Sequence, residues 1–377
     1  MLTYEIPLVP GPTHVPPVVR DAYRIDYGSA DLEPEYCELY GEVQDQLRTI
    51  LSTGNRLAIM TGEGMIALWG ALKSCIGPGD RVLAVSTGVF GHGIGEMAAS
   101  IGADVRWVEF GYDEVLERQP VEEAIAEFSP KMVTAVHCET PSGTLNPVDQ
   151  VGQLVRAYGV PLYYVDAVAS AAGTPVLVDE WAIDLCLIGT QKALSAFPDL
   201  AAVAVSDRAW HNIAEIDYAG YDALLPYRDA LEERWFPYTP AWASLSALQT
   251  ACSLVLDEGL EEVYARHARA AAHCRERARA MGLSLYPVGD AVCSPTVTAL
   301  KVPDAIGWEE LDRGLREYGM AVAGSLGPLA GKVFRIGHMG SQADVALVER
   351  GMDVLAEVLE ERGVINRQPG SQGAVKT

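Results

Sequence analysis

The sequence predicts an α/β protein, in which a mostly parallel sheet lies between layers of helices and a smaller α+β domain follows. Two observations carry that expectation. From about Gly54 to Val205, short apolar runs alternate with segments of helical spacing, the pattern of successive βα units. After roughly Ala241 the alternation stops, and a long helical stretch gives way to short strands and further helices.

Arg81–Ser86, Lys131–His137, Pro161–Asp166, Asp184–Ile188 and Leu200–Val205 are predicted strands, because each is a short, bounded apolar run. Met65–Lys73, Gly93–Ile101, Val121–Glu127 and Val148–Tyr158 carry helical spacing between them. Beyond these, Leu245–Met281 reads as helical with a break at Gly259. Thr296–Val302 and Lys332–Ile336 read as strands, and Trp308–Tyr318 and Ala343–Arg362 as helices. The expected organisation is an N-terminal arm (1–20), a large domain (21–250), a small domain (251–363) and a disordered tail (364–377) with nothing to bury.

A chain of 377 residues that is 49% hydrophobic can bury cores for two domains. No apolar stretch approaches a membrane span, and the first residues lack the layout of a signal peptide, so a soluble, cytoplasmic protein is expected. The net charge of −23 argues against nucleic acid as a partner, since phosphate binding needs clustered Lys and Arg. The seven cysteines are odd in number and form no Cys-x-x-Cys pair; they read as reduced thiols, with no metal site expected.

Lys192 is the most informative residue. It follows a buried strand through Gly189-Thr-Gln, and α/β proteins collect ligands at the carboxyl ends of strands. A lysine among apolar neighbours loses solvation, which frees its amine as a nucleophile and Schiff-base former. The preceding strand ends in Asp166. An acid and a lysine on adjacent strand ends suit pyridoxal chemistry, where the carboxylate keeps the pyridine nitrogen protonated. The competing reading is an N-cap aspartate and a solvated lysine.

Several spaced motifs then carry a resemblance. Val165-Asp-Ala-Val-Ala-Ser170, Gly189-Thr-Gln-Lys-Ala-Leu194, Glu139-Thr-Pro-Ser-Gly143, Tyr238-Thr-Pro240 and Gly327-Pro-Leu-Ala-Gly-Lys-Val-Phe-Arg-Ile-Gly337 resemble the class V, fold-type I pyridoxal-phosphate aminotransferases of the alanine–glyoxylate and serine–pyruvate kind. The resemblance runs from Pro10-Gly-Pro-Thr13 to Arg362. It implies a seven-stranded-type sheet, a homodimer with shared active sites, and amino transfer between a small amino acid and pyruvate or glyoxylate. Lys192 would hold pyridoxal 5′-phosphate covalently and Asp166 would pair with its ring nitrogen. Phe90 would stack on the ring, its neighbouring glycines (Gly88, Gly91, Gly93, Gly95) favouring a tight loop, and Thr140 would reach the phenolic oxygen. Val168, Gln191, Gly62 and Gly64 would complete the cofactor site, with Phe236 and Thr239 reaching across the dimer. Arg335 would clasp the substrate carboxylate as a bidentate fork. Tyr27-Gly28-Ser29 and the loop around Ser142 would line the side-chain pocket.

The phosphate cup departs from the family. Where a serine is usual, this chain has Glu63; Met65 replaces a second polar group and Phe236 a tyrosine. Two unit charges 4 Å apart repel by about 4 kcal/mol at an effective dielectric near 20. Either Glu63 turns aside, or the vitamer carries no phosphate. The pyridoxamine–pyruvate aminotransferases, which use unphosphorylated pyridoxamine, are similar at Glu63 and around it, but they carry an arginine where this chain has Leu326. Two readings from other classes compete: a cysteine desulfurase, with Cys293 as the nearest thiol, and a catalytically dead sensor, against which Lys192, Asp166 and Arg335 together speak.

Overall fold

The computed structural model describes residues 4–366. Its strands are β1 (Ile6–Pro7), β2 (Arg56–Thr61), β3 (Arg81–Ser86), β4 (Asp104–Glu109), β5 (Met132–Val136), β6 (Cys138–Glu139), β7 (Thr144–Leu145), β8 (Leu162–Asp166), β9 (Leu185–Gly189), β10 (Leu200–Val205), β11 (Val297–Lys301), β12 (Met320–Ala321), β13 (Ala323–Gly324) and β14 (Val333–Gly337). The helices are α1 (Pro17–Tyr23), α2 (Pro34–Ile50), α3 (Gly64–Cys75), α4 (Val89–Ile101), α5 (Arg118–Phe128), α6 (Val148–Tyr158), α7 (Asp207–Ile216), α8 (Ala230–Glu233), α9 (Trp242–Glu258), α10 (Leu260–Ala280), α11 (Trp308–Glu317) and α12 (Val345–Glu361).

A seven-stranded sheet, ordered β2-β10-β9-β8-β5-β3-β4, organises the first part of the chain. Only β10 runs against its neighbours β2 and β9; the β9–β8, β8–β5, β5–β3 and β3–β4 pairings are parallel. Strands β5, β8, β9 and β10 are buried along their whole length, as strands covered by helices on both faces must be. Because β8 and β9 are parallel neighbours, Asp166 and the Thr190–Lys192 turn emerge at the same sheet edge.

The edge strand β4 escapes the hydropathy pattern. β4 lies at the edge, half-buried, and mixes Asp104, Arg106 and Glu109 with its apolar residues. α2 is rich in charged and amide side chains, yet buries Tyr36, Tyr40, Val43, Leu47 and Ile50 at helical spacing. The glycines around Phe90 do not form the expected loop. Gly91, Gly93 and Gly95 lie inside α4, which starts at Val89. Close packing explains two of them: a Cβ on Gly91 would stand 3.0 Å from the Ser86 backbone, and one on Gly95 2.2 Å from the Trp107 ring.

The expected break falls at Gly259, whose φ of +88° separates α9 from α10. A three-stranded antiparallel sheet, β11-β14-β13, then packs its Leu300, Phe334 and Ile336 with Leu311, Leu315, Val348 and Leu355 into a second core. Ile6 and Leu8 of the N-terminal segment belong to that core, and β1 pairs in parallel with β12. Of the expected tail, residues 367–377 lie outside the described residues, while Val364 and Ile365 pack against the second core. Among the described residues no helix is long and apolar enough to cross a membrane.

Candidate active site

The turn after β9 is held by Thr190, whose hydroxyl donates to the Leu200 carbonyl at 2.8 Å. Lys192 therefore points off the sheet edge, and the N-terminal segment crosses over it. The Lys192 amine donates to the Pro10 carbonyl at 2.7 Å, while Thr13 anchors the crossing through its amide to the Gln191 carbonyl (3.0 Å) and its hydroxyl to the Lys192 carbonyl (3.0 Å). Burial, with the Arg335 charge adding to it, lowers the Lys192 ammonium to a pKa of about 8. About a tenth of the amine is then neutral at pH 7, far more than for an ordinary lysine.

Asp166 closes β8 with 8% of its surface exposed. Its Oδ1 accepts the Val168 amide at 2.8 Å. Burial raises the carboxyl to about 6, against the pull of that amide and of Lys192.

Lys192 and Asp166 open into one cavity of about 150 Å³. Of the residues expected at a cofactor, Glu63, Gly64, Phe90, Thr140, Val168 and Gln191 stand on its wall. Met65, expected in the phosphate cup, also lines it, and Cys138, Leu68, Ala169 and Leu187, which carried no site role in the sequence expectation, complete it. The Gln191 Oε1 is buried without a hydrogen-bond partner, a costly state for a cavity that stays empty.

Glu63 does turn to its own helix. As N-cap of α3 its Oε1 accepts the Met65 amide at 3.0 Å. One of the amides that could cradle an anion is thus already engaged by a carboxylate.

Arg335, in β14, is buried to 7% exposure and donates through Nε and Nη2 to the Gly324 carbonyl at 3.0 and 2.6 Å. Burial lowers its pKa to about 10. No carboxylate among the described residues forms an ion pair with it, so this desolvated cation lacks a counter-charge among them.

Other expected residues stay away from the cavity within one chain. Gly62 (φ +129°) donates its amide to the Asp199 carbonyl at 2.7 Å and supports the turn before α3. Gly28 and Ser29 are exposed near Trp242. Phe236 packs on Tyr36 and Tyr40, and the exposed Thr239 hydroxyl bonds Asp31 at 3.2 Å. Ser142 is buried and hydrogen-bonds Thr144 at 2.8 Å. Trp69 lies on a surface groove beside Lys73, part of its ring packed on the main core. The Cys293 thiol sits outside the cavity, with burial raising its pKa; a desulfurase nucleophile needs the opposite shift.

Comparison with known proteins identifies the family. The family described as Aminotransferase class-V matches residues 11–334. The chain belongs to the class V aminotransferases. It is 36% identical over 369 residues to an uncharacterized aminotransferase of Methanocaldococcus jannaschii, covering 95% of each chain. It is 34% identical over 340 residues to the pyridoxamine–pyruvate transaminase of Mesorhizobium japonicum (88% of this chain, 86% of that one). It is equally 34% identical over 359 residues to the (S)-ureidoglycine–glyoxylate transaminase of Bacillus subtilis (88% and 85%). The crystal structure of pyridoxamine–pyruvate aminotransferase from Mesorhizobium loti superposes with a TM-score of 0.92 at 31% identity, over 98% of this chain and 94% of that one. The fold is accordingly that of a fold-type I transaminase.

This class V aminotransferase suits the pyridine half of its family's cofactor, pyridoxal 5′-phosphate. The cavity offers an amine at Lys192, a buried carboxylate at Asp166 and the unpartnered Gln191 Oε1. The Glu63 carboxylate at the start of α3, which takes up the Met65 amide, suits the phosphate half poorly.

Proposed function

We propose that this transaminase moves an amino group between a small amino acid of the alanine or serine type and a 2-oxo acid, pyruvate or glyoxylate, with pyridoxal 5′-phosphate covalently held by Lys192. The observation that carries the reading is the pairing of a poised Lys192 with the buried, uncompensated Arg335. When bound, the pyridoxal group supplies the carbonyl that receives the amino group and a ring that withdraws electrons. Asp166 holds the ring nitrogen in its protonated form. The Lys192 amine would take the proton from the substrate α-carbon and pass it to the carbon that carried the aldehyde, and the reverse transfer would run in the second half-reaction. Arg335 orients the α-carboxylate of donor and acceptor alike.

A homodimer with shared sites fits this reading. Leu32, Tyr221 and Trp235 are 79%, 70% and 53% exposed, a degree of apolar exposure that favours a partner surface. Tyr221 stacks on Tyr238 at 4.3 Å, next to the segment carrying Phe236 and Thr239. We place that segment, with Gly28 and Ser29, against the partner's cavity. Seven unpaired thiols support a cytoplasmic location.

Glu63 favours a second reading, in which unphosphorylated pyridoxamine is itself the donor and pyruvate the acceptor. Its carboxylate already takes up an amide at the start of α3 that could otherwise hold a phosphate, and the chain is similar to a transaminase of that name. The test incubates the protein with pyridoxal 5′-phosphate, alanine or serine, and glyoxylate, and in parallel with pyridoxamine and pyruvate. Glycine formed in the first mixture supports the main reading; alanine and pyridoxal formed only in the second support the other.

A further inference from the structure

The first turn of α4 carries Phe90 to the cavity, but its N-cap is Gly88, which has no side chain with which to cap a helix. The missing acceptor comes from across the sheet edge. Glu139, at the end of β6, is fully buried and forms no ion pair among the described residues. Its Oε1 accepts the Gly91 amide at 2.6 Å and its Oε2 the Phe90 amide at 3.2 Å. The glycine at 88 is what makes room, because a Cβ there would lie 2.7 Å from the Glu139 carboxyl carbon.

A serine or aspartate at position 88 would cap α4 without tying it to anything else. A cap delivered from β6 does more. Glu139 pairs with Thr144 in the β6–β7 hairpin, and Thr140, the next residue, stands on the cavity wall. One carboxylate thus ties the backbone that carries Phe90 to the backbone that carries Thr140, on two sides of the same cavity.

We propose that Glu139 is a positioning residue for the ring site, fixing Phe90 over the pyridine relative to Thr140. The proposal rests on the reading that Phe90 and Asp166 face a bound pyridoxal ring. Replacement by glutamine leaves one oxygen to accept and turns an N–H₂ group towards a backbone donor, so the helix start shifts.

The test titrates pyridoxal and pyridoxal 5′-phosphate, followed by absorbance, into wild type, Glu139→Gln, Phe90→Ala and the double variant. Glu139→Gln is expected to weaken binding about tenfold. In the Phe90→Ala background the same change should add less than about twofold, because the ring that Glu139 positions is gone. Gly88→Ala, which crowds the carboxylate while keeping it, should reproduce the loss if Glu139→Gln does not fold. Additive losses in the double variant, or unchanged binding in Gly88→Ala, would overturn the proposal alone. Wild type binding neither compound would sink the ring-site reading, and this proposal with it.

Discussion

The Lys192 amine and the Pro10 carbonyl oxygen are 2.7 Å apart, a hydrogen bond that joins the lysine at the sheet edge to a segment anchored in the second core. The crossing is tight. A Cβ on Gly11 would stand 2.6 Å from the Lys192 Nζ, and the φ of +105° there suits glycine alone. Gly11→Ala should therefore displace Lys192 and strain the backbone by roughly 1–3 kcal/mol. We expect at least a tenfold loss in transamination rate with a modest fall in the urea midpoint. Unchanged turnover would mean that the crossing segment is not rigid against the lysine.

Attachment of pyridoxal to Lys192 should depend on pH in a defined direction. The neutral amine attacks, so the rate of attachment rises as pH passes the lysine value of about 8 and then levels. Binding should fall below about pH 6, where Asp166 takes up a proton and no longer favours a protonated ring nitrogen. Stopped-flow absorbance across that range checks both limbs. Asp166→Asn should abolish the acid limb and leave the alkaline one.

Charge at the start of α3 should select the vitamer. Glu63→Ser removes a carboxylate that repels a phosphate group by about 4 kcal/mol per unit charge at 4 Å and a dielectric near 20. Affinity for pyridoxal 5′-phosphate should rise by about tenfold or more, while that for pyridoxal stays within about twofold. Equal shifts for both compounds would show that Glu63 does not face the phosphate position.

Arg335 should act on the substrate carboxylate and little on the vitamer. Arg335→Gln is expected to cost about 1.5–3 kcal/mol of substrate binding, an increase in KM of roughly ten- to a hundredfold. Arg335→Lys should recover little of it, because a point charge cannot reproduce the fork. Steady-state kinetics with alanine and with its amide, which lacks the carboxylate, separate this from a general loss of fold: the amide should be indifferent to the substitution.

Much of this arrangement was legible because strands β8 and β9 end where their apolar runs end, at Asp166 and just before Lys192. The sheet was legible for the same reason, except at β4, whose charges mask an edge strand. Contacts between distant segments were not. Glu139 reads as one residue of a motif until α4, far away in sequence, is seen to begin without a cap of its own. The crossing of Lys192 by Pro10 and Gly11 has no periodic signature. The glycines near Phe90 signal close packing inside a helix, which composition alone does not distinguish from a loop.

The most direct test of the account is borohydride reduction of the protein with pyridoxal 5′-phosphate, then with pyridoxal, followed by proteolysis and mass spectrometry of the peptides. The account predicts a reduced pyridoxyl adduct on the peptide containing Lys192, with the other lysines essentially unmodified. An unmodified Lys192, or label scattered over exposed lysines such as Lys301 and Lys332, would contradict it.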